Sequence, residues 1–443
     1  MFKTLANAFR VKEIRKKIFF TLLMLVVIRI GSILPIPGVN TDYFSELFSS
    51  TSDQFSFIDA FTGGSFLNMS VFALSITPYI TSSIIMQLLT IAIPKLEEMQ
   101  KDGEDGRKKI ATITRFVTVG LALVESVAMV IGFGRQGLIV GYSSMSTFNK
   151  IFSSVLMVAI LTAGSALLMW IGERITEKGV GNGISIVLVI NIISRIPEDF
   201  ATLYETFIKG KSVLNATIAV VVILVIIIGV VLLTVLLCAG ERRIPVQYSK
   251  KIQGRRTFGG QSSHIPLKVN TAGVIPVIFA QSLMSFPAII ASFFEVDYST
   301  VGGQILLGLS SSNWFNRSNM IYTLGVILYI ALNIFFAYFY TSITFNPIEI
   351  ANNMKKSGGF IPGIRPGKPT SDYLTSILNK IIFIGVIGLV IVAIIPIICS
   401  GLFNANVSFG GTSLIIIVGV VLETIRQIES QMVVRDYKGF LNS

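Results

Sequence analysis

Charge is scarce in this sequence. Asp, Glu, Lys and Arg make up 14% of its 443 residues, where soluble domains carry about a quarter. Hydrophobic residues reach 52% and recur in long runs along the whole chain. That excludes an ordinary soluble fold, and equally a soluble domain with a single anchor. Cysteine is nearly absent. Cys238 and Cys399 fall at the ends of apolar runs and far apart, so a disulfide framework and a thiolate metal site are excluded, and both are read as small buried hydrophobes. His264 is the one histidine; it is read as a loop residue with no neighbour to share a metal. There is no Ser/His/Asp constellation, no paired aspartates and no HExxH, so neither catalysis nor a cofactor is expected.

What is present is a series of apolar runs of membrane-spanning length. They lie at 18–37, 70–94, 110–133, 151–172, 183–196, 213–238, 271–294, 320–343, 374–400 and 412–434. The first follows a basic start, as a signal peptide does, but no small-residue cleavage site follows it and it is read as a retained helix. With the N-terminus placed inside, 29 Lys and Arg fall on inside segments, 6 fall outside and Arg29 lies within the first span. The positive-inside rule then predicts both termini cytoplasmic. Ten spans divide as five plus five, and an odd number per half forces the halves into opposite orientation. The expected fold is thus all-α and polytopic, with an N-terminal half at 1–205 and a C-terminal half at 206–443.

Two inside loops, 239–270 and 345–373, mix Arg and Lys with Pro, Gly and aromatics. Fixing topology accounts for the charge but not for Ile-Pro or Gly-Gly-Phe-Ile-Pro-Gly, so a protein- or RNA-docking role is preferred. Within the second loop, Gly363 to Lys368 imitates a phosphate loop, but its spacing fails and Pro369 stands where Ser or Thr is required. Gly179-Val-Gly181-Asn-Gly183 starts like a dinucleotide fingerprint, yet lies between two spans; a tight turn is expected.

The stretch Phe57–Leu89 stands apart. Its first part is short, mixed and Gly-containing. Its second can just span, but carries Ser75, Thr77, Pro78, Thr81, Ser82, Ser83 and Gln87. Helices this polar face protein or water rather than lipid. Ile76 and Ile80 are four apart on one helix face, as are Ile184 and Leu188. Ordinary packing accounts for such pairs; a narrow apolar constriction that excludes water by dewetting is the sharper reading. Ionisable groups within spans are few: Arg29, Glu125 and Glu423. A coupled small-solute transporter, the runner-up, would show a denser relay.

Seven stretches together resemble the SecY family, the channel subunit of the bacterial secretion translocon. They are RIGSILPIPG (29–38), ITPYITSSIIMQLL (76–89), EKGVGNGISI (177–186), ERRIPVQYSKK (241–251), NTAGVIPVIFA (270–280), FNPIEIANNMKKSGGFIPGIRPGK (345–368) and FGGTSL (409–414). The resemblance implies a clamshell of two five-helix halves hinged near the loop between helices 5 and 6. It implies a plug helix at about 55–69, including Phe57, Asp59, Phe61, Gly63, Gly64 and Phe66. Ile76, Ile80, Ile184, Leu188, Ile278 and Ile416 match the pore ring, with Leu188 departing from the common isoleucine. Helices 2 and 3 against 7 and 8 would form a lateral gate, with Thr81, Gln87, Glu125 and Gln281 as its residues. Glu125 departs from an expected glutamine, a change that would tune opening if it faces the gate. Docking of the SecA ATPase or the ribosome, with its rRNA, would fall to Arg242, Arg243, Lys250, Lys251, Arg255, Arg256, Arg365 and Lys368. Other implied partners are the SecE and SecG subunits, secretory preproteins with their signal sequences, and lipids of the bacterial cytoplasmic membrane.

Overall fold

The computed structural model describes residues 8–41, 61–133, 138–141, 144–248, 251–253, 256–258, 262–292, 300–309, 314, 320–403 and 411–441. Its long helices are α1 (Lys12–Ile33), α2 (Thr77–Ala92), α4 (Gly103–Phe133), α5 (Thr147–Lys178), α6 (Gly183–Phe207), α7 (Val213–Ala239), α8 (Ile275–Ser292), α10 (Leu324–Thr344), α12 (Lys368–Phe403) and α13 (Gly411–Leu441). Each coincides with one predicted span. Shorter helices are α3 (Pro94–Lys101), α9 (Val301–Leu309) and α11 (Pro347–Lys356). Among the described residues five helical segments are long and apolar enough to cross a membrane by length and composition: Gly103–Phe133, Thr147–Lys178, Val213–Ala239, Leu324–Lys356 and Lys368–Ile395. The α2–α3 pair adds a sixth if counted as one span, although it bends by 102°.

Most helix ends fall a few residues from the predicted span ends, and two of the differences have local reasons. The second span was expected from residue 70, but its helix starts at Thr77 and residues 71–76 form turns. Pro78 belongs in a first turn, where its missing N–H costs no hydrogen bond, so it marks a helix start. The fifth span, expected to stop at 196, continues to Phe207 straight through Pro197. The tight turn expected at Gly179–Gly183 is present, with Gly181 at φ +81°. Within it the Asn182 side chain accepts from the backbone N–H of Ile184 and Ser185, capping α6.

Packing is local first. In the N-terminal part α2 packs on α4, α4 on α5, and α5 on α1 and α6; in the C-terminal part α7 and α10 pack on α12, α8 on α10, and α13 on α7 and α12. The two parts meet chiefly through α6 against α13, and less through α6 against α7. Helix α7 shows how a lipid-type surface reads: its apolar window is 17% buried, against 50% for the window of α12.

The sequence reading did not anticipate a sheet. Glu241–Tyr248 (β1) pairs antiparallel with Ser262–Lys268 (β4), register Ile244↔Ile265, and with Gly359–Phe360 (β5), register Gln247↔Phe360. A separate hairpin joins Lys251–Gln253 (β2) to Arg256–Phe258 (β3). Alternate β1 residues Ile244 and Val246 point inward. They share a core with Leu267, Met354, Ile361, Leu374 and Ile381, so the two inside loops form one body. His264 lies exposed in strand β4, not in a loop.

Candidate channel and docking site

The stretch between α1 and α2 is built onto its neighbours mainly through backbone groups. Ile36 N–H donates to the Met69 carbonyl (3.0 Å) and Val71 N–H to the Leu34 carbonyl (3.0 Å), binding residues 69–71 to the end of α1. Phe61 and Thr62 are helical and the next residues run in turns. Phe57 and Asp59 of the expected plug lie outside the described residues. Phe61 and Phe66 are both buried. Gly63 has φ +65°, a left-handed value that costs glycine little, and a Cβ there would lie 2.8 Å from the Asn191 backbone. Its carbonyl accepts from the Arg29 guanidinium (3.3 Å) and from Ser194 Oγ (3.4 Å). Arg29, singled out as an ionisable group within a span, thus has a backbone partner in the stretch between α1 and α2. Ser75 ends the stretch at φ +52°, and its carbonyl accepts from Ser165 Oγ on α5 (3.3 Å).

Sequence reading missed Asn191, which lies on α6 and is 1% exposed. Its amide nitrogen donates both to the Phe61 carbonyl (3.2 Å) and to Ser75 Oγ (3.1 Å). The one available signal was a single amide in the apolar run Val187–Ile193.

Just inside this stretch the six aliphatic residues meet. Ile76, Leu188, Ile278 and Ile416 are buried in one cluster with Phe61, Phe72 and Val187, and Ile80 and Ile184 pack against it. They come from the start of α2, from α6, from α8 and from α13, so both parts of the chain contribute to one apolar contact. The four residues read as lateral-gate positions are not joined in this way. Thr81 Oγ1 donates to the Thr77 carbonyl of its own helix, Gln87 is exposed, Gln281 is buried on α8 and Glu125 is half-buried on α4. No hydrogen bond among the described residues links the four.

On the cytoplasmic side by sequence, Arg242 and Arg243 project from β1 beside the Leu267 and Pro266 positions of β4. Arg243 pairs with Glu241 (2.6 Å), and that guanidinium holds the Glu241 carboxyl below its ordinary range. Arg365 is exposed in the turn before α12, and its carbonyl accepts from Thr370 Oγ1 at 2.8 Å. Lys368, also exposed, opens α12. Lys251 and Arg256 fall in the β2–β3 hairpin, while Lys250 and Arg255 lie outside the described residues. Because β5 pairs with β1, the basic positions of two loops about a hundred residues apart share one surface.

Comparison with known proteins gives a consistent answer. The sequence profile of the SecY family matches residues 70–425. The protein translocase subunit SecY of Halalkalibacterium halodurans is 42% identical, with all of both chains covered. That of Streptomyces coelicolor is 43% identical, again over the full length of both. Among solved structures, a protein-conducting channel superposes with a TM-score of 0.61 at 19% identity, over 95% of this chain and 93% of that one. Sec61 in the canine ribosome–channel complex from the endoplasmic reticulum gives 0.59 at 18% identity, covering 95% and 93%. At these identities the structural likeness shows the fold. The family follows from the sequence match, which spans the whole chain: this chain belongs to the SecY family.

Proposed function

We propose that the chain is the protein-conducting channel subunit of a Sec translocon in a bacterial cytoplasmic membrane, multi-pass, with both termini cytoplasmic. The observation that carries this is the convergence of six aliphatic residues from both halves of the chain beneath a plug-like re-entrant stretch. An apolar ring excludes water and ions by dewetting, yet bends around a passing polypeptide because aliphatic side chains make no directional bonds. The halves 1–205 and 206–443 then hinge as a clamshell, and residues 55–69 close the outside of the ring.

The lateral gate, taken as α2 and α4 against α8 and α10, sorts segments by partitioning. Each Leu-like residue at a helix centre favours lipid by about 0.5 kcal/mol, and one central Lys or Arg opposes by about 3. Ten apolar residues thus outweigh one central charge but not two. The chain has no phosphate-binding loop, so directional work falls to a partner, SecA or the ribosome, or to the membrane potential. SecE and SecG are the expected companion subunits.

Docking is assigned to the joined basic loops. Arg365 is the sharpest position: it is exposed, its backbone is pinned, and it pairs with no acid among the described residues. Arginine suits carboxylate and phosphate alike. Arg365→Glu is expected to cut preprotein export at least tenfold at unchanged channel abundance, as measured with membrane vesicles, SecA and ATP. Unchanged export at equal abundance removes this residue from the docking surface.

A further inference from the structure

Asn191 spans the re-entrant stretch from end to end. One amide group reaches the Phe61 carbonyl and the Ser75 hydroxyl, which lie fourteen positions apart in sequence and bracket Gly63, Gly64 and Phe66. We infer that Asn191 is a clasp that holds this stretch shut and thereby sets how strictly transport depends on a signal sequence. The inference rests on the reading of residues 55–69 as a plug.

Three observations converge on it. First, the Asn191 side chain is almost wholly buried, and its Oδ1 meets no partner among the described residues. An unsatisfied buried acceptor is a cost to the closed form, so this amide is poorly explained as a packing residue. Opening admits water and relieves that cost. Second, Met69 at φ +43° and Ser75 at φ +52° are non-glycine residues in left-handed conformations. Such conformations persist only where surrounding contacts enforce them. Third, the middle of the stretch is paired to α1 and packed in apolar clusters, whereas its ties to α6 are polar: Asn191 to Phe61 and Ser75, and Ser194 to Gly63, with Arg29 also on Gly63 and Ser165 on Ser75. A segment tied to a neighbouring helix by a handful of hydrogen bonds can exchange between two states, and a substrate needs to offset only part of those bonds to shift it.

Asn191→Leu keeps the branched shape and the number of side-chain heavy atoms and removes both donors. Gly63→Ala disturbs the same contact while keeping the Asn191 amide, because its Cβ would press on the Asn191 backbone and on Ser194 Oγ at 2.8 Å. Ser65 supplies a reporter: it is 1% exposed and its Oγ has no partner among the described residues, so cysteine fits there at little cost.

The experiment uses the full chain in its membrane complex, with Cys238 and Cys399 replaced and Ser65→Cys added. The rate of maleimide labelling at position 65 is read alongside export of two preproteins, one with an intact signal sequence and one with a defective signal. With Asn191→Leu, labelling should rise at least tenfold, and export of the defective preprotein should rise by a similar factor. With Gly63→Ala both should rise about threefold. A residue that only supports the fold would lower export of both preproteins alike. If either variant accumulates normally and leaves labelling and signal dependence at the unaltered values, the clasp is refuted. Should the unaltered channel export neither preprotein, the channel reading fails; the labelling ratio still decides whether Asn191 restrains this stretch.

Discussion

With Ile80→Asn and Ile184→Asn together, the resting channel should pass small ions at least about tenfold faster than the unaltered one. These two residues pack on the ring cluster but are only half-buried, so they can accept an amide without the full penalty of burying it. In the proposed reading the closed ring excludes ions, because an empty apolar neck is cheaper than a wet one. Two amides, one on α2 and one on α6, offer four donors and two acceptors to water at that neck. Lowering the wetting barrier by only about 1.4 kcal/mol is enough for a tenfold change. Dye-monitored ion flux in vesicles, with no preprotein present, reads the effect. The ring exchanges hydrophobic for polar surface without moving backbone, so channel abundance should stay near its original level. An unchanged leak at unchanged abundance would remove these positions from the barrier.

A second large effect is expected from Gly164→Leu on α5. A Cβ at this position would strike the backbone carbonyl of Val71. No rotamer change relieves a clash with backbone, so α5 and the 71–76 turns must part. That breaks the Ser165–Ser75 contact and opens the cluster in which Met69, Ala73 and Leu161 are buried. Overpacking of this kind costs about 3 kcal/mol, which lowers steady-state abundance severalfold in a marginally stable protein. Gly120→Leu on α4 is the matched control. It has open space around the added Cβ, and a helix gains up to about 1 kcal/mol when glycine is replaced. Immunoblotted abundance and thermal aggregation midpoint should therefore fall for the first and hold or rise for the second. Equal behaviour of the two would mean that the re-entrant stretch does not rest on α5 as described.

Both predictions draw on features unequally visible in sequence. The ten helix positions were legible because a run of apolar residues has one reading at this length. The start of α2 was misplaced by the same logic, since hydropathy counts Val71–Ile76 as span although Pro78 marks where the helix begins. The end of α6 was hidden by its charged second half, Arg195–Glu205. The sheet was illegible for a different reason. Its two longer strands, β1 and β4, each contain a proline, β5 is two residues long, and β1 finds it more than a hundred residues away. The aliphatic positions now packed together were named from spacing and family resemblance. Asn191 was not, because its partners lie 130 and 116 residues distant in sequence. Hydrogen bonds made between distant segments leave no periodicity to read.

The most direct test of protein conduction is a crosslink at the ring. It needs Ile80→Cys in a chain without Cys238 and Cys399, and a single cysteine midway along a stalled secretory polypeptide. Membranes supplied with SecA and ATP should yield a disulfide between the two, and only when the polypeptide carries a functional signal sequence. A polypeptide verified as engaged that forms no disulfide with Ile80→Cys, nor with cysteine at any of the other five ring positions, would contradict the pore assignment.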